Sequence, residues 1–123
     1  MSFQYTLANL LADARDAIAV LFLDDSGEVV DLACSQYTPY EMKVVGAYVG
    51  IYLRQLHGVL ERSDLGEPEA LHIEKENIHF FATPLPDGYY LVLVQACPGL
   101  VAQARYSLER ARREIAREIF DEE

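Results

Sequence analysis

The sequence has no tryptophan, only two cysteines, and half as many basic as acidic side chains. Cys34 and Cys97 are too few and too far apart for a disulfide framework or a zinc site, so we interpret both as reduced, buried thiols. With 20 acidic and 10 basic side chains the net charge is −10, which repels nucleic-acid phosphates and anionic lipid surfaces. We therefore expect neither nucleic acid nor a membrane as a partner.

Several other features are missing. No stretch of about 20 unbroken apolar residues is present, so no membrane span is expected. A phosphate-binding Gly-x-x-x-x-Gly-Lys-Ser/Thr loop and a nucleophile turn are absent, and His57, His72 and His79 share no spacing typical of metal ligands. The sequence thus predicts no catalytic residue, cofactor or metal site, and no enzyme. With 123 residues and no secretory segment, we expect one cytoplasmic domain spanning residues 1–123.

What is present is a long helical segment, predicted over residues 38–62. Thr38 can cap it, and Glu41 can complete a capping box, while Pro39 suits the first helical position. Gly58 is the predicted stop. Apolar side chains cover roughly 240° of this helix, although one buried face needs only about 100°.

The apolar surface divides into two stripes. The first is expected to face the chain's own sheet and comprises Met42, Val45, Val49, Tyr52, Leu53, Leu56 and Leu60. The second is left for a partner and comprises Val44, Ala47, Tyr48 and Ile51. Gly46 and Gly50 lie at the margin of the first stripe, where each costs the helix about 1 kcal/mol. We interpret them as positions of close backbone approach.

Five strands are predicted around this helix. Residues 17–23 and 89–96 are continuous apolar runs typical of central strands, whereas 28–34, 71–75 and 78–85 alternate or lie between turns. Together with a short first helix and an amphipathic last one, they predict an α/β (α+β) fold. We expect a five-stranded antiparallel sheet ordered 2-1-5-4-3, with the long helix on one face and the terminal helices on the other.

The third predicted strand would be an open sheet edge, which proteins usually cover. Antiparallel pairing of this strand with a second copy would bring Glu74 and Lys75 of the two copies together. We therefore predict a homodimer. Its interface is expected to consist of the second helix stripe and the third strand, with the residues Val44, Ala47, Tyr48, Ile51, Leu71, His72, Ile73, Glu74 and Lys75.

Several segments match one known pattern. They are the strand from Val20 to Asp24 with Gly27 in its turn and Ala33 after it, the long helix, Leu65 with Gly66, residues 78–85 followed by Asp87 and Gly88, the strand from Leu91 to Val94, and Pro98, Gly99 and Leu100 before the last helix. The chain resembles the roadblock family, the dynein light-chain domain also used in bacterial MglB-type regulators of small Ras-like GTPases. It departs from that pattern in the pair Pro98 and Gly99 and in its acidic third strand.

The resemblance implies a roadblock/longin-like sandwich and a dimer whose third strands pair across a twofold axis. It also implies a non-enzymatic regulator or scaffold of a small Ras-like GTPase. Because aromatic and arginine side chains often anchor interfaces, we predict that the GTPase contacts Lys43, Tyr48, Arg54 and Gln55. Two alternatives stay open: a small-molecule sensory domain, and a structural adaptor that pairs with another roadblock-like chain.

Overall fold

A five-stranded antiparallel sheet lies between two layers of helices. The structure, a computed structural model, describes residues 3–60, 64, 66, 68–96 and 99–120. The strand order is β2-β1-β5-β4-β3, which confirms the predicted topology. The elements are α1 (Phe3–Asp13), β1 (Ala17–Leu23), β2 (Val29–Cys34), α2 (Pro39–Leu60), β3 (Leu71–Glu74), β4 (Ile78–Pro84), β5 (Tyr90–Ala96) and α3 (Val101–Ile119), with a 3-10 turn at Pro86–Gly88.

The two continuous apolar runs form the centre of the sheet, as predicted. β1 pairs with β5 so that Val20 lies opposite Leu93 and Leu21 opposite Val92. All four of these side chains are fully buried or nearly so. Strands covered on both faces need apolar residues at every position, which explains why neither run alternates.

Each face of the sheet has its own core. On one face, α1 and α3 contribute Leu7, Leu10, Leu108 and Ile115, which pack with side chains of β1, β4 and β5. On the other face, α2 contributes Met42, Val49 and Leu53. This confirms the predicted division of the helices between the two faces.

The last turn of α3 differs from the prediction. Helical spacing places Ile119 on one apolar stripe of this helix with Leu108 and Ile115 and so predicts that it is buried, but it is 39% exposed. The ring of Phe120 closes this end of the core instead, with its centroid 5.2 Å from that of Tyr89 in an edge-on arrangement. Helical periodicity did not predict the packing of Phe120, because this residue follows the helix and no longer obeys its spacing.

The predicted capping box opens α2. The Thr38 amide donates to Glu41 Oε1 at 2.9 Å, and the Glu41 amide donates to Thr38 Oγ1 at 3.1 Å. The helix continues past Gly58, the predicted stop signal, to Leu60, and the last two residues of the predicted range 38–62 lie outside the described residues. Gly58 does not adopt the positive φ that ends many helices, whereas Gly66 does, at +96°.

The close approach predicted at the helix glycines is confirmed, and it is made to the chain's own β1–β2 hairpin. A Cβ atom on Gly50 would lie 2.1 Å from the carbonyl oxygen of Gly27, and one on Gly46 would lie 2.4 Å from a methyl group of Val29. Gly27 itself has a φ of +84°. The missing side chains let α2 lie directly on the hairpin.

A β-bulge in this hairpin overturns the predicted facing of β2. Alternation along residues 28–34 predicts that Val30 shares a face with Leu32 and Cys34, but the register shifts so that Leu23 pairs with Val29. Val29 therefore joins Leu32 and Cys34 against the α2 core, and Val30 is exposed. One extra residue in a strand reverses the alternation beyond it, and the sequence pattern carries no sign of it.

Several smaller expectations can also be compared with the structure. Cys34 is half-buried rather than buried, and its thiol donates to the Tyr37 carbonyl at 3.1 Å. Cys97, Pro98 and Leu65 lie outside the described residues. Among the described helices, none combines the length and apolarity required to cross a bilayer.

Charged side chains join the two terminal helices. Spacings of four residues predict that Arg110 pairs with Glu114, and Glu109 with Arg113, along the last helix. The structure places the Nη2 atom of Arg110 2.6 Å from Asp13 Oδ2 of α1. Glu109 pairs with Arg112 at 2.8 Å and, as predicted, with Arg113 at 3.6 Å. The hydrogen bonds from Arg112 are the main reason that the pKa of Glu109 lies below its usual value.

This pKa shift predicts a pH dependence of stability. Because the carboxyl of Glu109 has a lower pKa folded than unfolded, its contribution is present above the unfolded value of 4.5 and is lost as the pH falls through the folded value. We expect Glu109→Gln to lower the urea midpoint at pH 7 and to change it much less at pH 3. An equal effect at both pH values would contradict this assignment.

Candidate protein-interaction surface

The outward side of α2 carries seven of the thirteen large apolar side chains that are exposed in the described part of the chain. Tyr48 is 61% exposed, Ile51 51% and Tyr52 56%. Residues three and four positions apart are neighbours on a helix, so these side chains form a continuous stripe. We call this stripe the α2 outer face, made of Tyr40, Val44, Tyr48, Ile51, Tyr52, Leu56 and Val59.

The α2 outer face includes most of the helix residues predicted for the dimer interface. Val44, Tyr48 and Ile51 belong to it, and Ala47 is exposed beside them. Two residues predicted to face the chain's own sheet, Tyr52 and Leu56, are exposed as well. The helix lies tightly on the β1–β2 hairpin through its glycines, and this leaves the flank toward β3 uncovered.

The edge strand β3 provides the second part of the surface. It is the last strand of the described sheet and pairs with β4 on one side, from Leu71 opposite Ala82 to Glu74 opposite His79. Its other side presents backbone N–H and C=O groups at the sheet edge, where another strand can add.

Successive residues of β3 point to opposite faces of the sheet. Leu71 and Ile73 are half-buried on the α2 side, whereas His72 and Glu74 are exposed on the α3 side. Lys75 follows the strand, and its amide donates to the Ile78 carbonyl at 2.8 Å in the turn to β4. All five predicted interface residues of this segment therefore lie at or beside the edge.

A groove of about 320 Å³ joins the helix to the edge strand. Tyr48 and Tyr52 border it from α2, and Leu71 and Ile73 border it from β3, with Phe80 between them. The groove joins two consecutive elements, α2 and β3, into one continuous apolar surface.

The four predicted GTPase contacts do not form one cluster. Tyr48 and Gln55, two helical turns apart, lie on the flank toward β3. Arg54 lies on the opposite flank, where its Nη1 atom donates to the Ser26 carbonyl at 3.3 Å. Lys43 is about three turns before Arg54 and shares its side of the helix. A basic flank thus lies beside the β1–β2 hairpin, separate from the groove.

Sequence spacing missed one cluster of polar side chains. His72 and His79 are seven positions apart, yet His72 Nε2 lies 2.8 Å from His79 Nδ1 because β3 and β4 are neighbours. Glu74 lies opposite His79 on the same face. Partial desolvation and then the charge of His79 lower the pKa of His72, and Glu74 acts in the opposite direction.

A larger cleft of about 730 Å³ lies between the β3–β4 pair and α3. His72 and Phe81 border it from the sheet, and Arg105, Glu109 and Arg112 border it from the helix. It opens on the sheet face opposite α2, so it is a different surface from the groove.

Comparison with known proteins identifies the architecture. No protein-family model and no curated protein matches the sequence. Among solved structures, a Roadblock/LC7 domain from Streptomyces avermitilis is similar with a TM-score of 0.83 and 13% identity, covering 94% of this chain and 96% of that one. MglB from Myxococcus xanthus gives a TM-score of 0.84 and 17% identity, with 97% and 94% covered.

The chain has the roadblock fold. A structure described as MglB with a tetrameric arrangement is also similar, with a TM-score of 0.81, 15% identity, and coverage of 94% of this chain and 85% of that one. The resemblance seen in the sequence is thus confirmed for the fold. Among the described residues of this roadblock fold, the outward side of α2 and the edge of β3 are uncovered.

Proposed function

We propose that this chain is a homodimeric, non-enzymatic regulator of a small Ras-like GTPase. The observation that carries the proposal is the continuous apolar surface formed by the α2 outer face, the groove and the β3 edge. A large exposed apolar patch on a soluble domain typically marks a protein-interaction site. An open strand beside it adds the backbone hydrogen bonds that a partner strand would complete.

A second copy of the chain is the partner that fits this surface best. Around a twofold axis the same patch meets itself, so the apolar faces of two α2 helices cover each other. Two antiparallel β3 strands would then extend the sheet, which removes both edges at once. The tetrameric arrangement named for a similar MglB structure shows that a protein of this fold self-assembles.

The GTPase partner follows from the resemblance to roadblock regulators. A regulator acts by binding one nucleotide state more tightly than the other, because a partner bound equally in both shifts nothing. It therefore needs no catalytic residue of its own. We place this activity in the cytoplasm, where small GTPases and reduced cysteines are both found.

We assign GTPase contact first to the basic flank formed by Lys43 and Arg54. It stays accessible when the other flank of α2 is covered by a second copy. Its positive charge is unusual on a chain with a net charge of −10, and complementary charges steer association and specificity. Tyr48 and Gln55 would instead lie at or beside the dimer contact.

Calorimetric titration with a small Ras-like GTPase tests this proposal. The GTPase is loaded with GDP or with a non-hydrolysable GTP analogue, and hydrolysis rates are followed in parallel. We expect at least a tenfold preference for one nucleotide state, equivalent to about 1.4 kcal/mol, and a clear loss of affinity in Arg54→Glu.

Arg117→Glu is the matched control, since it makes the same charge change on an exposed residue of α3. Equal affinity for both nucleotide states would show that the protein acts only as a scaffold and does not regulate the GTPase. Undiminished binding by Arg54→Glu, with a loss in Arg117→Glu, would move the docking site to α3.

The small-molecule sensor alternative has one observation in its favour. The cleft beside α3 has a volume of about 730 Å³, within the range of about 300–1,000 Å³ typical of ligand sites. On the other face of the sheet, Met42, Val49 and Leu53 form the core under α2, and the groove of about 320 Å³ between α2 and β3 lies at the low end of that range. Measuring the mass of the purified chain in the absence of other proteins distinguishes the adaptor alternative from a homodimer.

A further inference from the structure

Three potential metal ligands converge on the α3-side face of the β3–β4 hairpin. They are His72 and Glu74 of β3 and His79 of β4, and one ligand atom from each lies within 4.8 Å of the others. Glu74 is directly opposite His79 in the strand register, and His72 is diagonal to it. The antiparallel pairing therefore assembles a group that no linear motif encodes.

The two imidazoles face each other with their nitrogen atoms close to the separation that a metal ion requires. His72 Nε2 and His79 Nδ1 are 2.8 Å apart and share one proton in a hydrogen bond. In a tetrahedral zinc site with bonds of about 2.0–2.1 Å, two ligand nitrogens are separated by roughly 3.3 Å. Opening the rings by about half an ångström thus lets a cation replace that proton.

The ligands are held by rigid surroundings. The ring of Phe81 stacks on His72 with centroids 4.4 Å apart and a plane angle of 16°, and on His79 at 5.9 Å and 14°. His79 is only 6% exposed. Sites built on strands and locked by packing lose less entropy when they bind a ligand.

We infer that His72, Glu74 and His79 form a site for a divalent transition-metal ion of the zinc type. Two imidazole nitrogens and one carboxylate oxygen are a ligand set that suits Zn²⁺ and leaves a coordination position for water. Mg²⁺ and Ca²⁺ prefer all-oxygen sites and are not expected to bind. This site does not depend on the proposed GTPase regulation.

Nearby charges act in both directions. The chain as a whole carries a net charge of −10, which raises the local concentration of cations. Arg105 of α3 borders the same cleft as His72 and disfavours positive charge there. Replacing Arg105 with Gln is therefore expected to strengthen metal binding.

Titration of the full chain with Zn²⁺ alone tests the inference, with Co²⁺ as a spectroscopic probe. We expect one Zn²⁺ per chain and a visible Co²⁺ absorption spectrum typical of a site with nitrogen and oxygen ligands. His72→Ala and Glu74→Gln should each lower the affinity at least tenfold. Both residues are exposed, so these variants keep the fold even if a His79 variant does not.

His57→Ala is the matched control, because it removes a histidine on α2 outside the cluster. It should bind Zn²⁺ as the unchanged chain does. Equal affinity in His72→Ala and His57→Ala would overturn the inference, and so would the absence of any Zn²⁺ binding by the unchanged chain at roughly 100 μM metal. In either case the two histidines form only a structural hydrogen bond on Phe81.

Discussion

Tyr48→Asp is expected to convert the dimer into a monomer at micromolar chain concentration. Tyr48 borders the groove between α2 and β3 and is 61% exposed in the single chain, so the change leaves the core of the monomer intact. In the dimer, however, the new carboxylate would be buried against an apolar surface without a partner. We expect the dissociation constant to rise at least thirtyfold, about 2 kcal/mol.

Light scattering and sedimentation over a concentration series measure this effect. The unchanged chain should show twice the mass of 13.9 kDa, and Tyr48→Asp should show the mass of one chain with an unchanged circular dichroism spectrum. Tyr5→Asp is the matched control, because Tyr5 is 65% exposed on α1, away from the groove. A monomeric unchanged chain, or a dimeric Tyr48→Asp, would disprove the proposed interface.

Gly50→Ala is expected to cost at least about 2 kcal/mol in the free energy of unfolding. Its methyl group would lie 2.1 Å from the carbonyl oxygen of Gly27, a backbone atom in a turn with positive φ. Relief requires α2 or the whole hairpin to move. The better helix propensity of alanine, about 1 kcal/mol, offsets only part of the strain. The midpoint temperature of thermal unfolding should fall by roughly 6–10 °C.

Gly58→Ala provides the control within the same helix. Apart from the backbone of α2 itself, no heavy atom of the described residues lies within 4 Å of a Cβ built at this position, so the expected change is one of helix propensity. We expect a gain of up to about 1 kcal/mol, measured by the same denaturation experiment. If both substitutions change stability alike, the contact between Gly50 and Gly27 does not determine how closely α2 packs.

The strand order could be predicted because its signals are local. Residues 17–23 are apolar at every position and residues 90–96 at every position except Gln95, a pattern typical of strands covered on both faces. The start of α2 was equally predictable, since Thr38 and Glu41 satisfy each other's backbone amides within one turn. In such cases each residue's environment depends on its near neighbours.

The facing of Val30 and the exposure of Tyr52 could not be predicted in the same way. Val30 depends on a register shift between two strands, and Tyr52 depends on how far the sheet extends beneath α2. The spacing of apolar residues along the chain indicates neither the register shift nor the extent of the sheet beneath α2. The histidine cluster is a third case, because His72 and His79 meet only through the pairing of β3 with β4.

The sequence by itself determined that this chain forms a sheet with helices on both faces, and that the apolar surface of its long helix is broader than one core requires. Only the tertiary structure decided which part of that helix stays uncovered. Gly46 and Gly50 draw α2 onto the β1–β2 hairpin, so the exposed apolar side chains are left beside β3 and the basic ones beside the hairpin. Contacts between distant segments set these positions, because packing distances, unlike helix and strand periods, depend on both surfaces at once.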